Sequence, residues 1–213
     1  LFMVFPFYWM ITGAFKTGAD ISKFPPELWP NSWTLDNFKY ALETAPFVRY
    51  FINSVIVTIC CVVASTFTTI LASFAFSRLK FPGRDIAFSI LLSLMMVPFE
   101  MLVITNYRTI VALDLVNTLP ALIIPFTSSI FYTYILRNFF LSIPDSLYES
   151  ARIDGASNWQ YLWKVMVPIA KPSLVTIVLL NAISCWNAFL WPMLVTNSAA
   201  VRTLPFGFLT SKK

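Results

Sequence analysis

Few side chains in this 213-residue chain could carry out chemistry. Histidine is absent, which excludes imidazole acid–base catalysis, Ser-His-Asp triads and histidine-ligated metals or haem. The three cysteines, Cys60, Cys61 and Cys185, lack the spacing of a metal or redox site, and the five glycines form no GxxxxGK(S/T) phosphate loop. We expect neither an enzyme active site nor a metal site, and we interpret the cysteines as small core or lipid-facing residues.

The most varied polar stretch runs from 149 to 172 and reads ESARIDGASNWQYLWKVMVPIAKP, between apolar segments. Glu149, Arg152 and Asp154 offer charges that a water-facing partner could pair with. Gly155 can adopt a left-handed conformation at a helix end and can let another surface approach its backbone closely. The pattern indicates a docking element, and the alternative is an amphipathic linker whose charges are only solvated.

Helix-start signals predict a helix, a tight turn and a second helix in this region. Ser146 and Ser157 are each followed three residues later by Glu or Gln, which is the spacing of a capping box. Pro144 competes with the first signal, because proline at the first helical position would make Ile143 the cap. The predicted turn lies at residues 154–156.

Two polar groups within apolar segments could line a solute path. Glu100 is the only carboxylate in a predicted span. A proton relay would need a second acid or a histidine, so we favour a position near the outer end of its helix, at the interface. Asn181, Trp186 and Asn187 combine amides with an aromatic ring, which suits stacking on sugars, and Trp191 extends the group. The favoured alternative for this group is an aromatic interface belt with asparagines that join helices.

The elements that must hold these side chains are apolar enough for a lipid bilayer. Hydrophobic residues make up 58% of the chain and charged residues 12%. The basic residues behind the net charge of +5 are scattered beside apolar runs, which does not favour binding to nucleic acid. We predict an all-α, polytopic membrane helical bundle, a single domain over 1–213, with kinks where prolines interrupt the spans. The predicted spans are 1–15 (partial), 51–76, 86–107, 115–136 and 172–194.

The distribution of basic residues predicts the orientation. The connection 77–85 holds three basic residues, whereas 108–114 holds one basic and one acidic residue. The positive-inside rule therefore places the first connection in the cytoplasm. By alternation, residues 137–171 are cytoplasmic, and residues 16–49 form a compact outer loop with a short helix around 35–42.

Residues 149–156, ESARIDGA, with the later prolines Pro168 and Pro172, resemble the EAA loop of the membrane subunits of bacterial ATP-binding cassette (ABC) importers. The one departure is Ser150, where alanine is usual. The similarity continues in FPFYWMI at 5–11, PFVRYFINS at 46–54, LASFAFSRLKFPGRD at 71–85, LRNFFLSIPDSLYESA at 136–151 and WNAFLWP at 186–192. These segments resemble the second of the two paired permeases of sugar-type importers, similar to the maltose and glycerol-3-phosphate systems.

The resemblance implies a type I ABC importer permease fold with a cytoplasmic coupling helix in the EAA loop at 137–171. In that family the loop sits in a cleft of the ATPase subunit and passes its closing motion to the spanning helices. The residues that the resemblance assigns to ATPase coupling are Glu149, Ala151, Asp154, Gly155 and Ala156. The candidates for the translocation path are Glu100, Asn181, Trp186 and Asn187.

The resemblance also implies partners. These are a homologous permease, a cytoplasmic ABC ATPase dimer that binds ATP and Mg, an extracytoplasmic solute-binding protein and the bacterial inner membrane, with no cofactor in this chain. The solute would be a sugar or a sugar phosphate. The alternatives are an ion-coupled secondary transporter, which would depend on Glu100 without an ATPase, and a purely structural membrane subunit. Members of the family usually have six spanning helices, and no sixth apolar run follows WNAFLWP at 186–192. We therefore expect a longer natural protein, and the alternative is a naturally shortened subunit.

Overall fold

The computed structural model describes residues 3–210, with the side chains of residues 3–208. Helices and connections account for all of the described chain, without a strand, which confirms the predicted all-α class. The helices are α1 Phe5–Ala14, α2 Gly18–Ile21, α3 Asp36–Thr44, α4 Phe47–Arg78, α5 Arg84–Leu94, α6 Phe99–Ala112, α7 Leu119–Ile123, α8 Ile130–Ser142, α9 Asp145–Ile153, α10 Asn158–Tyr161, α11 Val167–Ile169, α12 Lys171–Trp186, α13 Leu190–Val195 and α14 Leu204–Thr210. A 3-10 turn, Ile124–Phe126, follows α7, and a π-helical turn, Leu162–Met166, follows α10.

The central element is α4, which contains the predicted span 51–76. Within residues 3–210 it is the one continuous helix that is long and apolar enough to cross a membrane. Its 32 residues rise about 48 Å, more than the ~30 Å of a hydrocarbon core. The small or polar side chains that recur every fourth residue along its buried face are Cys61, Ser65, Thr69, Ser73 and Ser77. Small residues let helices approach closely, and α4 packs mainly against α8 and α12.

The other long apolar regions are bent helix pairs. The chain bends by 99° between α5 and α6, at a break that ends with Pro98. It bends by 43° between α7 with its 3-10 turn and α8. The helical segment 158–169 meets α12 at 79°. Each pair is long and apolar enough to cross a membrane if it forms one span. Proline lacks a backbone N–H and disfavours helix in the preceding residue, which explains the break at Pro98. The predicted spans 86–107 and 115–136 are therefore bent elements.

Two predicted spans have different limits in the structure. The predicted span 172–194 is divided, because α12 ends at Trp186 and α13 begins at Leu190. In the partial span 1–15, the described helix is α1.

Two buried clusters flank α4 along its length. The first joins the C-terminal half of α4 to α8 and α12 and contains Ile70, Phe74, Leu136, Phe140, Ile143, Tyr161, Leu162, Met166, Ala170 and Ile177. The second joins the N-terminal half of α4 to α6, α7 and α13 and contains Val57, Cys61, Ile110, Ala121, Leu122, Trp191 and Val195. The hydrophobic core thus consists of two clusters along one long helix rather than one central cluster.

The connection between α1 and α4 is held by a polar network. The Asp20 carboxylate accepts hydrogen bonds from Asn31 Nδ2 at 3.2 Å and from Thr17 Oγ1 at 3.0 Å, and these bonds hold the pKa of Asp20 below its usual range. Lys23 pairs with Glu27 at 3.2 Å. The helix α3 lies where a short helix was expected around 35–42.

Candidate functional site

The helix α9 and the segment that begins at Asn158 are joined by a tight turn. Gly155 has φ of 74°, its N–H donates to Arg152 O at 3.1 Å, and the N–H of Ala156 donates to Ala151 O at 2.9 Å. This pair of bonds is a Schellman motif, which closes a helix with a left-handed residue. The predicted helix, turn and helix, with a left-handed Gly155, are confirmed.

One of the two predicted capping boxes is present. Ser157 Oγ accepts from the Gln160 N–H at 3.2 Å, and Gln160 Oε1 accepts from the Ser157 N–H at 2.9 Å. The box predicted at Ser146 is wrong, because the N-cap is Pro144, with no side-chain cap. The extended backbone of Pro144 starts the helix at Asp145, so Ser146 already lies inside the helix and cannot act as its cap. Ile143, the other expected cap, lies one residue too early.

The five residues assigned to coupling lie together around this turn. Glu149, Asp154 and Gly155 are exposed, whereas Ala151 and Ala156 are half-buried. Ala151 packs against the first buried cluster, so the charged face of α9 points away from the bundle.

Two exposed apolar side chains beside the turn were not singled out from the sequence. Ile153, the last residue of α9, is 86% exposed, and Trp159 is 57% exposed. Together these two side chains leave apolar surface beside the turn that is available to a protein partner. The sequence feature that could have identified them is the occurrence of an isoleucine and a tryptophan within the polar stretch 149–172.

Arg78, at the C-terminal end of α4, ties this element to the bundle. Its side chain is only 5% exposed and forms an ion pair with Asp145 at the start of α9. Its Nη2 donates to Phe140 O at 2.8 Å and also to Ile143 O. One buried guanidinium thus joins the ends of α4 and α8 to the first residue of α9.

Arg137, on α8, extends the connection to α5. Its Nε donates to Phe76 O at 3.1 Å, and its guanidinium carbon lies 4.0 Å from the ring centre of Phe88. Its Nη2 lies 3.7 Å from Asp85 Oδ1. We call Arg78, Arg137, Asp85 and Asp145 the arginine clamp.

A cavity of about 510 Å³ lies beside the middle of α4. It is lined by α4, α6, α8, α12 and α13, together with the ends of α7 and the connections around them, and combines aromatic rings with hydroxyl, amide, thiol and carboxyl groups. The polar lining residues include Glu100, Ser129, Tyr132, Asn181, Ser184 and Cys185.

The structure brings two of the four path candidates together. Glu100 is exposed, lies in the first turn of α6 just after the bend, and lines the cavity. Asn181 is 5% exposed and also lines the cavity. Its Oδ1 accepts from Cys185 Sγ at 3.3 Å, whereas its Nδ2 has no partner among residues 3–208.

Trp186 and Asn187 lie outside the lining. The Trp186 ring contacts Phe51 edge to face at 5.7 Å, and Asn187 Nδ2 donates to Ile183 O at 2.8 Å. Trp191, by contrast, lines the cavity, and its indole N–H donates to Ala121 O.

A bundle built around one long apolar helix, with bent apolar helix pairs and a polar helix–turn–helix at one end, defines a membrane permease. The chain belongs to the family of binding-protein-dependent transport system inner membrane components, which matches residues 64–211.

Curated relatives align over nearly all of the chain. The arabinooligosaccharides transport system permease protein AraQ of Halalkalibacterium halodurans is 33% identical over 97% of this chain and 75% of its own length. The diacetylchitobiose uptake system permease protein DasC of Streptomyces coelicolor is 35% identical over 98% of this chain and 76% of its own. The sn-glycerol-3-phosphate transport system permease protein UgpE of Yersinia pestis is 28% identical over 97% and 76%.

Among solved structures, a chain of a bacterial ABC transporter involved in the import of the acidic polysaccharide alginate superposes with a TM-score of 0.89. It is 29% identical, and the match covers 100% of this chain and 74% of that chain. The fold and the family therefore agree.

Proposed function

We propose that this chain is a permease subunit of a binding-protein-dependent ABC importer for a sugar or sugar derivative, in the bacterial inner membrane. The names of its relatives, which include two oligosaccharide systems, support a carbohydrate solute. A homologous permease would complete the translocation path, and an extracytoplasmic binding protein would deliver the solute. ATP and Mg would be bound by a separate ATPase dimer.

The coupling element is the helix–turn–helix around Gly155, which faces the cytoplasm. The observation that carries this assignment is Ile153, an apolar side chain 86% exposed beside a Schellman turn, at the end of a helix that also exposes Glu149 and Arg152. A cleft in the ATPase that accepts the turn would cover Ile153 and Trp159 and pair with Glu149 and Asp154. The arginine clamp would then pass a push on α9 to α4 and α8.

The path residues of this subunit are Glu100 and Asn181, which line the cavity. Trp186 and Asn187 are assigned instead to helix packing and the membrane interface, because their partners lie within the helices.

The test compares two glycine substitutions in the full-length permease, expressed with its partner subunits. Gly155 and Gly83 have φ of 74° and 79°, and neither has an atom within 4 Å of an added Cβ. Aspartate therefore causes the same backbone strain at both positions, but only Gly155 lies in the proposed docking turn. We expect G155D to lose co-purified ATPase and solute-stimulated ATP hydrolysis, and G83D to keep both.

Equal activity of the two variants would refute the coupling assignment. If the wild-type complex contained no ATPase at all, an ion-coupled transporter that uses Glu100 would become the better reading.

A further inference from the structure

We propose that the cavity discriminates by charge, favouring neutral or cationic solutes over anionic ones, and that Glu100 is the specificity-determining residue. The inference rests on the proposed function, because it treats the cavity as part of the solute path. It narrows the solute from sugars in general to sugars without an acidic group.

The lining contains one charged side chain. Glu100 is the only acid, and no lysine or arginine contributes to the lining described by residues 3–208. Glu100 forms no ion pair within 4.0 Å in that part of the chain. Its position in the first turn of α6 favours a negative charge, because the N-terminal end of a helix dipole is positive.

Two arginines close to the lining residues along the chain, Arg202 and Arg108, form no ion pair with this carboxylate. Arg202 precedes the lining residue Thr203, but its guanidinium lies over the Phe206 ring at 5.3 Å, and its Nη2 donates to Asn197 O at 3.2 Å. Arg108 is two turns further along α6, a rise of roughly 12 Å from Glu100. Among the described residues, the cavity lining therefore carries a single negative charge, whose field acts on a solute in the cavity.

The cavity also holds a buried donor without an acceptor. Asn181 Nδ2 is unpartnered in a side chain that is 5% exposed, and an unmet buried donor is costly. A hydroxyl or ring oxygen of a solute that reaches this amide would satisfy it, and Phe131, which is 47% exposed, offers a ring face for stacking. These groups would hold a hydroxylated solute, while Glu100 repels an acidic one.

Cys185 is a native reporter of this field, because it lines the cavity and is half-buried. The experiment uses the assembled transporter in nanodiscs and two methanethiosulfonates of similar size, one with a trimethylammonium group and one with a sulfonate. Mass spectrometry follows modification of Cys185 itself, and each rate is divided by that of the same reagent with a small thiol in solution. We expect the cationic reagent to be favoured about tenfold after this correction.

Two variants locate the source of the preference. E100Q preserves shape and should bring the corrected ratio close to one. D114N, at the other end of α6, is the matched control, because Asp114 is exposed, lies outside the lining and has φ of 55°, a conformation that asparagine tolerates. It should leave the ratio unchanged.

A corrected ratio near one in the wild type would overturn the inference while leaving the path in place. A preference that survives in E100Q would overturn the role of Glu100. If Cys185 reacted with neither reagent in any nucleotide state, both the inference and the assignment of this cavity to the path would fail. The wild-type ratio decides the first point even if a variant does not assemble.

Discussion

The C-terminal end of α4 and the cavity beside the middle of that helix differ in how their charged side chains are paired. At the C-terminal end of α4, Arg78 bonds to Asp145, to Phe140 O and to Ile143 O. In the cavity beside the middle of the same helix, Glu100 has no ion pair and Asn181 Nδ2 no partner among the described residues. Buried polar atoms without a partner occur in both regions, among them Arg78 Nε and Asn181 Nδ2, so the difference lies in the charges. The Arg78 guanidinium joins three elements, whereas the Glu100 carboxylate forms no ion pair among the described residues.

Replacing Arg78, at the C-terminal end of α4, should cause the largest loss of stability among the substitutions considered. R78M leaves two buried carbonyls without a donor and Asp145 without its cation, so we expect the free energy of unfolding to fall by about 3 kcal/mol. Denaturation of the purified permease in detergent measures the change. The exposed neighbour in K80M should cost less than about 0.5 kcal/mol. Similar losses in both variants would show that the clamp does not stabilise the bundle.

At the N-terminal end of α4, close packing at Gly207 accompanies the hydrogen bonds that Asn53 Nδ2 donates to Ala200 O and Arg202 O. A Cβ added at Gly207 would lie 2.3 Å from Tyr50 Cδ2, so G207A should cost about 1–3 kcal/mol through overpacking. Gly13, in α1, has nothing within 4 Å, and G13A should be neutral or stabilising because alanine favours helix. Thermal unfolding of both variants in the same detergent provides the comparison. A stabilising G207A would contradict the packing of α14 on α4.

The coupling turn should depend on one serine and not on the other. S157A removes the capping-box acceptor and should lower stability by about 1 kcal/mol. S146A, where no cap exists, should change it by less than about 0.5 kcal/mol. Denaturation curves of the two variants distinguish the serines, and equal effects would restore the capping box predicted at Ser146.

The smallest effect is a pH dependence in the connection between α1 and α4. The folded pKa of Asp20 is lowered, so its stabilising contribution is present above its unfolded pKa of about 3.9 and is lost as pH falls through the folded pKa. Pepsin cleavage of this connection, normalised to an unfolded peptide, should therefore rise as pH falls below about 4. The rise should be absent in D20N and retained in D36N, which alters an exposed aspartate at the start of α3. If cleavage depended on pH identically in the wild type, D20N and D36N, Asp20 would not be the source of the pH dependence.

Local patterns predicted the parts of the site that neighbouring residues determine. Gly155 and Ser157 adopt the expected conformations because their bonds close within five residues. Ser146 failed because the backbone of Pro144 starts the helix two residues earlier than the serine pattern requires.

Contacts between distant elements could not be predicted from the sequence. Arg78 finds Asp145 only after α4 and α8 pack together, so its sequence signal was limited to a positive charge. Glu100 reaches the cavity of Asn181 through the 99° bend at Pro98, whose angle no pattern predicts. A helix turns by about 100° per residue, which is why Cys185 lines the cavity while Trp186 does not.

The most direct test of the central claim, that the turn around Gly155 docks into an ATPase, is to replace Ile153 with a photo-crosslinking amino acid in the assembled complex. The same replacement at Ile59, an exposed position on α4, is the control. We expect position 153 to cross-link to the ATPase subunit with a yield that changes with nucleotide, and position 59 not to cross-link to it. Cross-links from position 153 to lipid or to the permease alone, in a complex that contains the ATPase, would contradict the claim.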